Sequence, residues 1–287
     1  MLTILFDGVA YGMLLFVLAC GLCVTLGLMN FVNLAHGAFA MLGGYVAALS
    51  MNRWGVPFLA TLPLAFALPA LLGVALERTL YRRLYGASPL DQVLFTIGLV
   101  FMAMPIASFF LGDQPQPVTP PGFLQGRLEW AGIEIGVYRL FLIVVCGAIA
   151  LALQLFLVGT RFGAQLRAAV DDARVASGLG IDVDRLFAVT FAIGSGLAGL
   201  GGALAADIVG GVDPSFPVKF MVSFLIVAAI GGARGIVGAL LGALLLGVLD
   251  VAGKYYIPSI GAFVIYAVMV VTLLARPQGL FARGGGR

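Results

Sequence analysis

Charge is scarce in this chain. Of 287 residues, 16 are Lys or Arg and 13 are Asp or Glu, so 10% are charged, where soluble domains carry about 25%. The single histidine, His36, cannot build a metal site by itself. The only lysines, Lys219 and Lys254, sit in "PVKF" and "GKYY", and neither follows a Gly-rich turn, so ATP binding through a P-loop is excluded. No G-x-S-x-G or H-E-x-x-H occurs, and no nucleophile–base pair is visible, which disfavours an intramembrane enzyme. The cysteines Cys20, Cys23 and Cys146 all fall in apolar runs. Cys20 and Cys23 form a C-x-x-C, but on a spanning helix, so they read as small buried thiols without a redox or metal role. The N-terminus lacks a basic n-region, and its first apolar run is too long for a signal peptide, so it reads as a retained span.

Apolar side chains fill the space that charge leaves. The chain is 62% hydrophobic with a mean hydropathy of +1.11. No soluble fold hides that much apolar surface and stays wettable. Runs near the ~20 residues needed to cross a bilayer recur near 5–28, 34–51, 57–76, 92–111, 138–158, 186–206, 218–232, 236–252 and 260–275. The expected fold is an all-α polytopic transmembrane helix bundle of eight or nine spans, with discontinuous short helices and a cytoplasmic coupling helix. Residues 1–287 read as one membrane unit, with an external loop at 112–138 and a cytoplasmic loop at 159–185. Pro115, Pro117, Pro120 and Pro121 forbid a helix in the external loop, and "RLEWAGIEI" is compatible with a small hairpin turning at Ala131-Gly132. Three clusters hold 10 of the 16 basic residues: Arg78, Arg82 and Arg83; Arg161, Arg167, Arg174 and Arg185; Arg276, Arg283 and Arg287. The positive-inside rule assigns all three, and hence the C-terminus, to the cytoplasm.

Glycine numbers 40, about twice its usual share. Small residues fall four apart at Gly194, Ala198, Gly202 and Ala206, and again at Gly231, Gly235, Ala239, Ala243 and Gly247. Such rows suit close helix packing. Pro63, Pro69 and Pro105 lie inside apolar runs and can bend their helices.

Three stretches carry candidate function. "RFGAQLRAAVDDARVASGLGIDVDR", 161–185, holds eight charged residues. Helical spacing puts Leu166, Val170, Ala173 and Ser177 on one face. It puts Arg167, Asp171 and Arg174 on another, spaced for Arg167–Asp171 and Asp171–Arg174 pairing, with Gly178 and Gly180 ending the helix. Asp171, Asp172, Asp182 and Asp184 balance the arginines, so a protein partner suits this face better than an anionic bilayer; a merely solvated loop is the alternative. In "GLMNFVNLAHGAFAMLGGYVA", Asn30, Asn33 and His36 recur every third residue and would stack on one helix face. They read as a helix cap or interhelical hydrogen bond, or as a broken helix lining a translocation path. In "AAIGGARGIVGALLGALLLGVLD", Gly231, Gly232 and Gly235 interrupt two apolar halves, with Arg234 in the break. Paired interruptions mark the path of many transporters. Asp207 and Asp250 lie near span ends and no mid-span acid is clear, so the chain has a path-like architecture without a visible energy source.

Taken together and in this order, "GLCVTLGLMNFVNLAHGAFAMLGGYVA", "FGAQLRAAVDDARVASGLGIDVDRLFAVTFAIGSGLAGLGGAL" and "GGARGIVGALLGALLLGVLD" resemble the LivH-type permeases of bacterial branched-chain amino-acid ABC importers. The resemblance runs from about residue 5 to "RPQGLF" and is weakest in the external loop. It implies a multi-pass subunit of the bacterial inner membrane that pairs with a LivM-type second permease. Two cytoplasmic ABC ATPases would bind ATP and Mg, so this chain itself needs no cofactor. A periplasmic substrate-binding protein would deliver the substrate, and no nucleic acid is involved. It further implies that 161–185 docks on an ATPase, and that the substrate is a branched-chain amino acid or a related urea, amide or organic acid. A secondary transporter or channel acting without ATPases is the rival.

Overall fold

The computed structural model describes residues 1–29, 31–130, 133–232, 235–276 and 279–280. Among them are eleven α-helices: α1 (Leu2–Met29), α2 (His36–Trp54), α3 (Phe58–Thr79), α4 (Pro89–Leu111), α5 (Val137–Gly159), α6 (Arg161–Asp171), α7 (Ala173–Gly178), α8 (Val183–Ala205), α9 (Phe216–Gly231), α10 (Ile236–Tyr256) and α11 (Val264–Ala275). Six of them, α1, α3, α4, α5, α8 and α10, are long and apolar enough to cross a membrane. By that measure the expected eight or nine spans are not reached. The difference lies in α9 and α11, which are short, and in α2, whose 19 residues include His36, Ser50, Asn52 and Arg53. The loop at 112–138 carries the expected hairpin: β1 (Arg127–Trp130) pairs antiparallel with β2 (Ile133–Gly136), and Arg127 bonds Glu134 across it at 2.7 Å. The turn residues Ala131 and Gly132 lie outside the described residues.

α1 and α8 form the core. Their apolar windows are 78% and 72% buried, against 17% for α4. Such burial needs helices that approach closely, and glycine supplies the approach. A Cβ on Gly12 would sit 2.8 Å from the main chain of Ala243 and Leu244 in α10, and one on Gly8 would sit 2.7 Å from Val248 Cα. Gly43 of α2 lies against the Gly199 main chain of α8, and Gly202 of α8 against Ala40 of α2. The outer helices α3, α4 and α5 turn Leu68, Phe101, Phe109 and Leu155 outward. Apolar side chains on that face are what lipid requires.

The bundle is built twice. One sequence offset takes Asn33 to Asp213, the start of α2 at His36 to the start of α9 at Phe216, and the 3-10 turn at Tyr81–Leu84 to the one at Gly261–Phe263. Under it α1, α2 and α3 correspond to α8, α9 and α10, and α11 follows the second 3-10 turn as α4 follows the first. The contacts exchange as a two-fold demands: α1 packs on α10, and α8 packs on α3. Gly21 faces Gly194 while Gly201 faces Leu18, so α1 and α8 run antiparallel and the repeats are inverted. Gly37 and Pro217 correspond to each other and also touch: a Cβ on Gly37 would sit 2.9 Å from Pro217 Cα. The two-fold therefore passes where the N-termini of α2 and α9 meet.

Close approach makes a direct prediction. Gly43→Val should destabilise the fold by about 1–3 kcal/mol or more through overpacking. Gly98, where an added Cβ meets nothing within 4 Å, should accept Ala without loss. Thermal denaturation of the two purified variants in detergent separates them.

Candidate functional site

The first helix break falls between α1 and α2. Asn30 lies outside the described residues. Asn33 is not on a helix, so the expected stacking with His36 along one face does not form. The chain leaves α1 at Met29, and Asn33 turns its side chain to the restart: Oδ1 accepts from the Ala35 N–H at 3.1 Å. His36 opens α2, with Nε2 2.8 Å from the Leu18 carbonyl and the ring edge-on to Phe224 at 5.9 Å. Both residues are almost fully buried. Asn33 closes the turn ahead of α2, and His36 makes an interhelical hydrogen bond.

A broken helix frees main-chain groups that must find partners. Two side chains of α4 provide them. Gln92 Oε1 accepts from the Val32 N–H at 3.0 Å, and Thr96 Oγ1 accepts from the Leu34 N–H at 3.2 Å. Gln92 Nε2 in turn donates to the Leu84 carbonyl at 3.2 Å. Sequence reading passed over Gln92 and Thr96. Their signal was available: two buried polar residues one helical turn apart in an apolar span. Phe31 wedges between Tyr81, Tyr85 and Phe191, with ring centroids 5.4–5.8 Å away.

The second break, residues 206–215, repeats this geometry on the other half. Asp213 Oδ1 accepts from the Ser215 N–H at 2.8 Å, as Asn33 does from Ala35. The Val212 N–H donates to the Gln116 carbonyl at 2.9 Å, and the Gln116 N–H donates to the Val212 carbonyl at 2.8 Å. Asp213 also pairs with Lys219. Burial pushes the Asp213 carboxyl upward, but its bonds with Lys219 and Ser215 outweigh burial and hold it below the ordinary value.

The glycine-rich interruption expected at 231–235 separates α9 from α10, so Gly231, Gly235, Ala239, Ala243 and Gly247 do not share one helix. Gly231 closes α9 and packs on α10, where its Cβ would sit 2.6 Å from the Gly238 carbonyl. Gly235 is extended at the start of α10, and an added Cβ there meets nothing within 4 Å, so it is not a packing glycine. Gly247 lies against Gly12 and Gly8 of α1, and Gly194 and Gly202 lie against α1 and α2. Arg234 lies outside the described residues.

The charged stretch is two helices rather than one. Asp172 is extended (φ −152°, ψ 100°) and ends α6. Its Oδ1 accepts from the Arg174 and Val175 N–H groups at 2.9 Å and caps α7. The cap removes the shared face: Arg167 and Asp171 are on α6, Arg174 is on α7, and among the described residues none of them is ion-paired. Arg167 Nη1 instead donates to the Leu157 carbonyl at the end of α5, at 2.6 Å. The buried face of α6 is Gly163, Leu166 and Ala169, joined by Ala176 of α7; Ala173 and Ser177 are exposed. Gly178 ends α7, and Gly180 takes the turn at φ +84°. Val175 and Leu179, at 58% and 77% exposed, stand out among the charges.

Arg82 pairs with Asp184, which brings the Arg78–Arg83 cluster to the same end of the bundle as 161–185. A cleft of about 370 Å³ lies between them, lined by Glu77, Arg78, Arg82, Asp182, Asp184 and Arg185. Buried Glu77 accepts from the Tyr85 hydroxyl at 2.8 Å. Among the described residues no group of three or more His, Cys, Asp or Glu is placed to hold a metal ion.

Comparison with known proteins matches residues 4–273 to the family described as "Branched-chain amino acid transport system / permease component". The high-affinity branched-chain amino acid transport system permease protein BraD of Pseudomonas aeruginosa is 28% identical, over 97% of this chain and 95% of its own length. The LivH permease proteins of Escherichia coli K12 and Salmonella typhimurium are also 28% identical, over 97% of this chain and 94% of theirs. No solved structure matches.

The partners at the first break are testable. Thr96→Val leaves the Leu34 N–H unpaired inside the bundle, a loss of about 1–3 kcal/mol. Thr96→Ser keeps the oxygen and should melt near the parent. Equal melting temperatures for the two variants in detergent would remove Thr96 from this role.

Proposed function

Because the chain belongs to the branched-chain amino acid transport system permease family, and is therefore a multi-pass transport permease, we propose that it is one of two membrane subunits of an ABC importer. With a LivM-type second permease it forms the path for branched-chain or related amino acids across the bacterial inner membrane. Two cytoplasmic ATPases supply the energy, holding ATP and Mg themselves, and a periplasmic binding protein delivers the substrate. The relatives' names supply the substrate class.

The inverted pair of broken helices meeting at Gly37 and Pro217 supports the translocation path, and the family match supports the ABC assembly. In transporters built from inverted repeats, discontinuous helices border the substrate near mid-membrane, and alternating access arises as one repeat moves against the other. Asn33 and His36, with Asn30 before them, support the wall of that path. His36→Ala should cut transport more than it cuts assembly.

The coupling surface is the exposed stretch 159–185, facing the cytoplasm with the C-terminus, while 112–138 faces outward. Among the described residues no two of its charges pair with each other and only Asp184 is ion-paired, with Arg82, and exposed pairs would contribute only about 0.3–0.5 kcal/mol in any case. Charge at a partner surface sets orientation and specificity instead. Exposed Val175 and Leu179, beside Arg174, give a docked ATPase an apolar anchor. Gly178 and Gly180 shape the turn that presents them.

Arg174→Glu is the clean test, since Arg167 also caps α5 through Leu157. The variant should express normally, yet lose ATPase co-purification or uncouple hydrolysis from transport by roughly tenfold. Wild-type coupling would leave this face merely solvated. Cysteines at Ala164 and Ser177 should react with a membrane-impermeant reagent only in inverted vesicles. Transport by the purified chain without ATPases would favour a secondary transporter.

A further inference from the structure

Val32 and Val212 hold equivalent places in the two repeats, yet their main chains are secured by different means. At the first break the partners are Gln92 and Thr96, side chains rooted in a spanning helix. Phe31, just before Val32, is locked among Tyr81, Tyr85 and Phe191. Freeing this break means withdrawing an aromatic ring from a packed cluster and orphaning two buried N–H groups, both costly.

At the second break the partner is a surface loop. Gln116 meets Val212 through main-chain atoms alone, N–H to carbonyl in both directions. Gly211 stands where Phe31 stands in the other repeat, so no ring anchors this side. It adopts φ +119°, and a Cβ on it would sit 2.9 Å from the Gln116 carbonyl and 3.0 Å from Pro115 Cβ. The loop is rooted by buried Val118 and Leu124, while the stretch before Val118 has few ties. Asn52 Nδ2 donates to the Pro117 carbonyl at 3.1 Å, and Ser108 bonds Asp113. Asp113, Gln114, Pro115 and Pro117 are exposed. Pro115 and Pro117 fix φ on either side of Gln116 and so restrict the local backbone of this strap. The Gln116 side of this pair is only half-buried, so its N–H and carbonyl can exchange for water at small net cost, while Val212 is buried until the strap leaves it.

We infer that Gln116 is a positioning residue for transport: its main chain sets the second break, and lifting residues 113–117 off Val212, with buried Val118 as the fixed end, opens the bundle at that end, while the first break stays packed. This rests on reading the bundle as a permease path.

An antiparallel pair that exchanges both hydrogen bonds has Cα atoms about 5.5 Å apart, within disulfide reach. Gln116→Cys combined with Val212→Cys therefore tethers the strap, and the native cysteines are buried. In proteoliposomes holding the assembled transport complex, oxidation of the double variant should slow uptake at least tenfold. Reductant should restore it, and each single variant should be insensitive. The reduced double variant is its own folding control. A second readout needs no transport. Ala206 is buried beside this break, and the Gly211 N–H donates to its carbonyl at 2.7 Å. Ala206→Cys should react slowly with a small water-soluble thiol reagent, and several-fold faster once Gln116→Pro deletes the N–H to Val212. Full uptake by the oxidised pair overturns the inference, as does unchanged Ala206→Cys labelling in the Gln116→Pro background. If the reduced complex shows no ATP-driven uptake at all, the permease reading fails, while the labelling still reports on the strap.

Discussion

Lipid offers no hydrogen bonds, so every main-chain group inside the bundle must be satisfied by the protein itself. Continuous helices meet this rule unaided. Each broken helix must recruit partners, and the recruits determine much of the surrounding arrangement. α4 lies against the first break because Gln92 and Thr96 reach Val32 and Leu34. The 112–138 loop folds back onto the bundle where Gln116 answers Val212. At each restart a side-chain carbonyl or carboxylate, Asn33 or Asp213, takes the second N–H onward. Without these partners the breaks would anneal into ordinary helix or melt.

Close helix packing is the second condition, and it is met by absence of side chain. The Gly43–Gly199, Gly12–Ala243 and Gly21–Gly194 approaches let α1 and α8 sit inside the bundle while the leucines and phenylalanines of α3, α4 and α5 face lipid. Polar contacts add little at the charged end: the exposed Arg82–Asp184 pair ties α8 to the turn after α3 without contributing much stability. Glycine thus fixes which helices touch, and main-chain partners fix where they are interrupted.

The sequence made the architecture legible and left its junctions obscure. Apolar runs located the long helices because length and hydropathy are local properties. The alternation in "RLEWAGIEI" marked the hairpin, since period-two patterning is local too. The break at Asp172 escaped notice because "GAQLRAAVDDARVASG" has unbroken helical spacing, and only a cap at Arg174 and Val175 divides it. The interruption at 231–235 was legible because three glycines cluster there, but the four-residue row from Gly231 to Gly247 runs across it and so does not mark one packing face. The repeat was nearly invisible: Asn33 and Asp213, or Phe31 and Gly211, are equivalent in main-chain geometry and unlike in chemistry. The His36 cluster was visible as polar residues at membrane depth, but its partner Leu18 offers only a carbonyl, which no sequence pattern reveals.

The contact between Gln116 and Val212 is made of peptide groups, and that bears on how such a chain can change over generations. Almost any residue at 116, proline excepted, offers the same N–H and carbonyl to Val212; the Gln116 side chain adds only a long bond to the Leu111 carbonyl. The number of residues between Leu111 and Gln116 is not free, because one insertion or deletion shifts which peptide faces Val212. Variation that matters in this loop is therefore a matter of length rather than spelling, and a substitution scan of its side chains would pass over the feature that holds it in place.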